Sequence, residues 1–430
     1  MGGWSACGDS SNIVVLALPV VSSCGDGVPV LSDQVLTGFD HFLDAGISHL
    51  KSTRLGVCCH PASVDRDYRD LPSILRESGV PVARWFAPEH GLQGQLQDME
   101  ACLSDSQQVI SLYGESVDSL RPSKAVVSDL DLILFDLRDI GSRYYTFAAT
   151  LRYLLEAVAG TEARVIVLDR PNPIGGRQVE GGVVQPGFES FVGALPTSVR
   201  HGMTMGELAR FMTTHLQIDA DVEVIPCSGW KRHQRQDEID LPWVLPSPNM
   251  PTPETALIYP GMCLIEGTTL SEGRGTTLPF HLVGAPGLDG QRFAEVASQL
   301  AREMELSGVT FRPTAFVPHI QKHRGETCQG IQVHVTNADR LHSLMLGMVV
   351  ITAAALTSGD AFQWRTEEYE FVKDPLAIDL LWGAADFRKT VDSLCNSTTD
   401  PASALLDLLN SRETERQMFL EQRDSCLLYR

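Results

Sequence analysis

Residues 85–94 read Trp-Phe-Ala-Pro-Glu-His-Gly-Leu-Gln-Gly, an apolar run that stops abruptly at a carboxylate and an imidazole. A strand that ends this way delivers acid–base groups to the edge of a sheet. Pro88 biases Ala87 away from helix, while Gly91 and Gly94 permit a tight turn directly after Glu89 and His90. Glu89 is therefore the first candidate for a catalytic acid, although Glu-His-Gly taken alone reads more readily as a solvated turn. Two further apolar runs end in acids, residues 130–136 at Asp136 and residues 164–169 at Asp169. In open α/β sheets ligands bind beyond the carboxyl ends of the strands. Three strands ending at Glu89, Asp136 and Asp169 thus imply one shared cleft.

The loops after these acids carry polar groups in useful company. Arg138, Asp139, Arg143, Tyr144 and Tyr145 fall within ten residues of Asp136. They suit a polar ligand with an anionic group and flat faces to stack on, or else form a salt-bridged surface loop. Asp169, Arg170 and Asn172 sit among Pro171, Pro173, Gly175 and Gly176, a stiff setting that can hold a site or simply be a loop. Further along, Glu266, Glu272 and Arg274 place two carboxylates and a guanidinium in a Gly-rich turn. A glycosidase uses two such carboxylates. This turn has no Gly-x-x-x-x-Gly-Lys, so no nucleotide site is read there. His60, His90 and His201 share no ligand-like spacing, and no Gly-x-Ser-x-Gly elbow occurs, so neither a metal nor a cofactor is expected.

The elements that must position these groups follow from periodicity. Strands are expected at residues 54–59, 80–86, 109–112, 130–136 and 164–169, with helices near 35–43, 71–77 and 146–158. Strand–helix–strand at short spacing predicts a parallel sheet. Thr204 and Glu207 match a capping box at the start of a helix running to about His215, with His201 just before it. Five prolines between residues 242 and 253 interrupt regular structure and mark a boundary. The second block holds a strand at 330–336, a long apolar helix at 342–356 and a charged helix at 414–424. The expected organisation is an N-terminal extension (1–30), a Rossmann-like α/β domain (31–248) and a smaller α+β domain (249–430), with the cleft between the latter two.

A net charge of −20, from 34 basic and 54 acidic residues, argues against a nucleic-acid surface. Ten cysteines without paired spacing read as free thiols rather than a disulfide scaffold. Residues 13–21 are apolar, and Val21-Ser22-Ser23-Cys24 has the look of a lipoprotein cleavage box, yet no Lys or Arg precedes it. A cytoplasmic location is favoured, with an exported lipoprotein as the alternative. No run is long enough for a transmembrane segment.

Six collinear stretches, Pro88–Gly91, 136–145, 169–173, 201–204, 247–251 and 271–277, resemble the exo-β-N-acetylmuramidases of the NamZ family. The resemblance implies a Rossmann-like domain with a smaller C-terminal domain, and removal of terminal N-acetylmuramic acid from the non-reducing end of peptidoglycan fragments. It assigns the catalytic glutamate to Glu89, whose pKa the apolar Trp85 and Phe86 are expected to raise. The substrate's lactyl carboxylate needs a guanidinium; Arg143 and Arg274 are the candidates, with Arg170 third. Tyr144 or Tyr145 could stack on the pyranose. His90, Asp169, Asn172 and His201 complete the expected substrate-binding set. For the second catalytic role Glu272 could be base or nucleophile, or Asp139 could orient the substrate's acetamide. Two departures from the family pattern line the expected cleft, Leu137-Arg138 and Cys59-His60-Pro61-Ala62-Ser63. They leave two alternatives open: an exo-glycosidase for another amino sugar, or a non-catalytic binder of cell-wall sugars.

Overall fold

The computed structural model describes residues 13–15, 34–97, 100 and 108–430. Seven strands form the main sheet: β1 (Ile13–Val15), β2 (Leu55–Cys59), β3 (Val82–Ala87), β4 (Val109–Ser111), β5 (Leu132–Asp136), β6 (Arg164–Leu168) and β7 (Val222–Ile225). Their order is β1-β7-β6-β5-β2-β3-β4, and every neighbouring pair is parallel. Alternation divides the buried side chains between two faces. Leu55, Val57, Leu132, Leu134, Ile166 and Leu168 pack with α1 (Gly38–Asp44) and α2 (Leu71–Glu77). Cys58, Ile133, Phe135, Val165 and Val167 pack on the other face with α3 (Phe147–Val158) and α4 (Met205–His215). Strand order reverses between β2 and β5, so their following loops part and open a crevice there.

The second unit begins at α5 (Pro253–Met262), with Pro253 in the first turn and the Thr252 hydroxyl accepting the Thr255 N–H at 3.1 Å. It continues through β8 (Leu282–Ala285), α6 (Gly290–Glu303), β9 (Val309–Phe316), β10 (Cys328–Val335) and α7 (Ser343–Thr357). The chain ends in α8 (Ala377–Trp382), α9 (Asp386–Cys395), α10 (Pro401–Ser411) and α11 (Glu413–Asp424). The three strands form an antiparallel sheet, β8-β10-β9, giving the smaller α+β unit that was expected. Helices α5 and α7 meet backbone to backbone. A Cβ on Gly261 would lie 1.9 Å from the Ser343 carbonyl oxygen, and one on Gly347 2.1 Å from the Gly261 oxygen. That closeness lets one apolar core run on from α3 and α4 into both helices.

Some expectations shift. The strand expected from residue 80 starts at Val82, because Pro81 has no N–H for a ladder. Within the expected extension, Ile13–Val15 pairs with Val222–Val224 as an edge strand of the sheet. The rest of residues 1–30, including the Val21–Cys24 box, lies outside the described residues. Thr204 does close a capping box on Glu207. Cys58, Cys59, Cys227, Cys263, Cys328 and Cys426 are buried free thiols, and Cys395 is free and exposed. Among the described residues no helix is long and apolar enough to cross a membrane.

Candidate active site

Glu89 follows the last residue of β3 by two positions and is 4 % exposed. Its turn is forced: His90 and Gly91 both adopt left-handed backbone, φ 71° and 76°, and the Gly91 N–H donates to the Pro88 carbonyl at 2.9 Å. A histidine held there costs about 1–2 kcal/mol, the kind of strain found at functional sites. The His90 Nδ1–H donates to the Leu96 carbonyl at 2.9 Å, which fixes the ring. Thr146, the N-cap of α3, makes no side-chain cap bond to its helix. Its hydroxyl donates to Glu89 Oε2 at 2.5 Å instead.

The expected Trp85-Phe86 surroundings are halved by the pleat. Phe86 joins the core beneath Tyr145 and Phe147, whereas Trp85 packs on the opposite face of the sheet. The apolar walls come from farther away. Tyr145 meets Phe147 edge-on at 4.9 Å, and Tyr259 of α5 lies 6.0 Å from both Tyr144 and Tyr145 and 4.9 Å from Phe280. The Tyr144 hydroxyl donates to the Pro260 carbonyl.

These residues enclose a cavity of about 400 Å³, into which the C-terminal unit brings Glu266, Arg274, Tyr369 and Glu370. Glu266 Oε1 accepts from Arg274 at 2.6 Å and Oε2 from the Tyr369 hydroxyl at 2.7 Å. Burial pushes this carboxyl up, but the guanidinium and phenol outweigh it and hold the group below its usual range. Glu370 Oε2 accepts from the Tyr113 hydroxyl at 2.9 Å. Phe280, Glu370 and Phe371 all have left-handed backbone, so strain gathers around this cavity from both domains.

Of the expected site residues, Glu89, His90, Tyr144, Tyr145 and Arg274 line the cavity. Asp139 and His201 form a buried pair beside it. Asp139 Oδ2 accepts the Gly141 N–H at 2.6 Å and lies 3.4 Å from His201 Nε2. His201 Nδ1 accepts the Met203 N–H at 3.1 Å, which puts the neutral ring's proton on Nε2, facing Asp139. Asp139 Oδ1 is buried without a donor. Burial raises the Tyr145 phenol well above its usual pKa, and Asp139 and Glu89 add to this, so both acids lie within electrostatic reach of that ring.

The remaining candidates are committed elsewhere. Arg143 donates to four backbone carbonyls, those of Gly182, Thr197, Leu381 and Trp382, at 2.8 to 3.0 Å. It ties the two domains together, and burial lowers its pKa to about 10. Arg170 is a fork on Asp136. Asn172 donates to the Met203 carbonyl at 2.9 Å and accepts the Ile174 N–H. Glu272 borders a neighbouring pocket of about 1000 Å³, where Lys322 reaches it at 2.9 Å, with Arg274 3.3 Å away.

Asp169 is a structural anchor. It accepts the Tyr429 hydroxyl at 2.5 Å, the Thr204 hydroxyl at 2.8 Å and the Gly206 N–H at 2.8 Å, fastening the start of α4 and the C-terminal tail. Burial pushes its pKa up to about 6 against those bonds. The folded value thus lies above the unfolded one of about 3.9, so the folded state binds this proton more tightly. Its contribution to stability should therefore fall as the pH rises from about 4 through about 6. Asp169→Asn should lack that decline in urea unfolding measured at pH 4 and pH 7. Parallel profiles for the two proteins would show that Asp169 does not titrate in this window.

The two departures from the family pattern lean on each other at the crevice between β2 and β5. His60 Nε2 accepts the Arg138 N–H at 2.8 Å, its ring lies 5.0 Å from Phe147, and burial keeps it neutral. The Arg138 side chain turns away to the Pro242 carbonyl at 3.0 Å and the face of Trp243. Sequence reasoning missed Tyr259, Tyr369 and Glu370. The last two lie in Glu367-Glu368-Tyr369-Glu370, which looks like a solvated charged stretch. Among the described residues no group of three His, Cys, Asp or Glu side chains could hold a metal ion.

The N-terminal family model of the exo-beta-N-acetylmuramidase NamZ matches residues 55–254, and the C-terminal one matches residues 257–429. The peptidoglycan beta-N-acetylmuramidase NamZ of Bacillus subtilis (strain 168) is 36% identical over 399 residues, 92% of either chain. Two solved DUF1343 family proteins of Bacteroides fragilis NCTC 9343 share the fold. One, 28% identical, has a TM-score of 0.78 and covers 93% of this chain and 100% of its own. The other, 26% identical, has a TM-score of 0.66 and covers 92% and 99%. With both domain models matched in order and a relative aligned over nearly the whole length, the chain belongs to the exo-β-N-acetylmuramidase NamZ family.

Proposed function

We propose that this chain is an exo-acting glycoside hydrolase that releases terminal N-acetylmuramic acid from the non-reducing end of peptidoglycan-derived saccharides, with Glu89 as general acid. The observation that carries this reading is Glu89 itself. It is a carboxyl delivered by a strained turn into an enclosed aromatic cavity, with the Thr146 hydroxyl placed on one oxygen. Such a setting supports proton donation to a leaving oxygen. A binding protein has no need of it. The cavity's tyrosines offer flat faces to a pyranose. Of the three arginines considered for the lactyl carboxylate, Arg274 alone reaches the cavity, so that role passes to it rather than to Arg143 or Arg170.

The test is p-nitrophenol release from the β-N-acetylmuramic acid glycoside, beside the β-N-acetylglucosamine glycoside. A kcat/KM at least about 100-fold higher for the first is expected, because a site built around a substrate's polar group rejects the analogue lacking it. Preference for the second would mean that the cavity serves another amino sugar. No turnover of either, with N-acetylmuramic acid still bound, would make the protein a binder.

A further inference from the structure

The cavity is lined by Glu89, Glu266 and Glu370, and Glu266 is set between a guanidinium and a phenol. We propose that Glu266, rather than Glu272, is the second catalytic carboxylate, the nucleophile set against the anomeric carbon while Glu89 protonates the leaving oxygen. This rests on the glycosidase reading above.

Glu266 sits in the tight turn that follows α5, and it is 3 % exposed. Each of its oxygens already has a strong donor, Arg274 on one and Tyr369 on the other. Such a carboxylate is immobile and stays charged. Glu89 has the contrasting environment, a hydroxyl from Thr146 among aromatic rings. A carboxylate pinned by a guanidinium and a phenol, facing the same cavity as a second carboxyl on a strained turn, is an arrangement that can divide anion from acid. Glu272 does not line this cavity; it faces the adjacent pocket, which Glu266 also borders, and is held there by Lys322. Glu370 lines the cavity, but its Tyr113 partner belongs to a separate apolar cluster with Phe191 and Tyr153.

The same surroundings select the chemical role. A carboxyl held below its usual range is a weak base for activating water, but a good leaving group from carbon. In the first step a Glu266 oxygen lone pair forms a bond to C1. The C1–O bond to the leaving sugar breaks, its electron pair stays on that oxygen, and the oxygen takes the Glu89 proton. In the second step water adds to C1 and gives a proton back to Glu89. As the bond from water to C1 forms, the C1–Glu266 bond breaks, and its electrons return to the carboxylate. The product is released with retained β configuration.

The test uses the full chain and the p-nitrophenyl β-glycoside of N-acetylmuramic acid. Glu266→Gln should lower kcat at least about 10³-fold, with N-acetylmuramic acid still binding within a few-fold of wild type. Tyr369→Phe removes one donor from the anion, so the acidic limb of its kcat/KM profile should move to higher pH. It decides the matter if Glu266→Gln does not fold. Proton NMR of early wild-type product should show the β anomer first. A Glu266→Gln rate within about tenfold of wild type, a greater loss in Glu370→Gln, an unmoved acidic limb in Tyr369→Phe, or the α anomer appearing first would each overturn the proposal. If the wild type cleaves no glycoside, the glycosidase reading itself fails, which is a separate result.

Discussion

Glu89→Gln is expected to lower kcat on a disaccharide substrate by about 10³- to 10⁴-fold, equivalent to about 4–5.5 kcal/mol of barrier. The disaccharide's leaving group is a sugar hydroxyl, which cannot depart as an alkoxide at useful rates without a proton. Glutamine keeps the size of the side chain and still offers an amide oxygen to the Thr146 hydroxyl, so the turn at His90 and Gly91 should survive. KM should change little, because the aromatic walls that hold the sugar include Tyr144 and Tyr145 ahead of α3 and Tyr259 of α5. A p-nitrophenyl glycoside needs far less help from an acid, so its loss in the same variant should be clearly smaller. Measuring both leaving groups separates proton donation from general damage. Equal losses on the two substrates, or no loss on either, would remove Glu89 from the acid's role.

Arg170→Met is expected to destabilise the protein by about 3–5 kcal/mol without a specific effect on substrate affinity. The guanidinium reaches Asp136 through Nε at 2.5 Å and Nη2 at 2.8 Å, and Nη2 also donates to the Val64 carbonyl at 3.0 Å. Asp136 is fully buried at the end of a central strand. Removing its partner leaves an uncompensated charge in the core, which is costlier than losing the pair as a whole. Pairing the change with Asp136→Leu should therefore recover part of the loss in urea unfolding. If Arg170→Met instead keeps its midpoint and raises KM, Arg170 contacts the substrate after all.

Local pattern made much of this protein readable in the chain. The all-buried run at residues 132–136 and the acids that end it needed only hydrophobic continuity, and the Thr204 capping box needed only a three-residue spacing. Glu89 was identifiable because Pro88, Gly91 and Gly94 dictate a turn whatever surrounds it. What each charge faces was a different matter. Arg143 and Arg274 look alike in sequence, yet the first is spent on carbonyls as far as 239 residues away and the second on a carboxylate in the cavity. Glu266 and Glu272 lie six positions apart, yet the first reaches both the cavity and the next pocket while the second, held by Lys322, reaches only the latter. Tyr369 and Glu370 carried no local mark at all. A guanidinium is satisfied equally by a ligand, a carboxylate or a ring of carbonyls. Sequence therefore determined the sheet, its acidic strand ends and the turn that presents Glu89. Which charges meet was decided only when two domains closed over one cavity, because those partners come together through space and not along the chain.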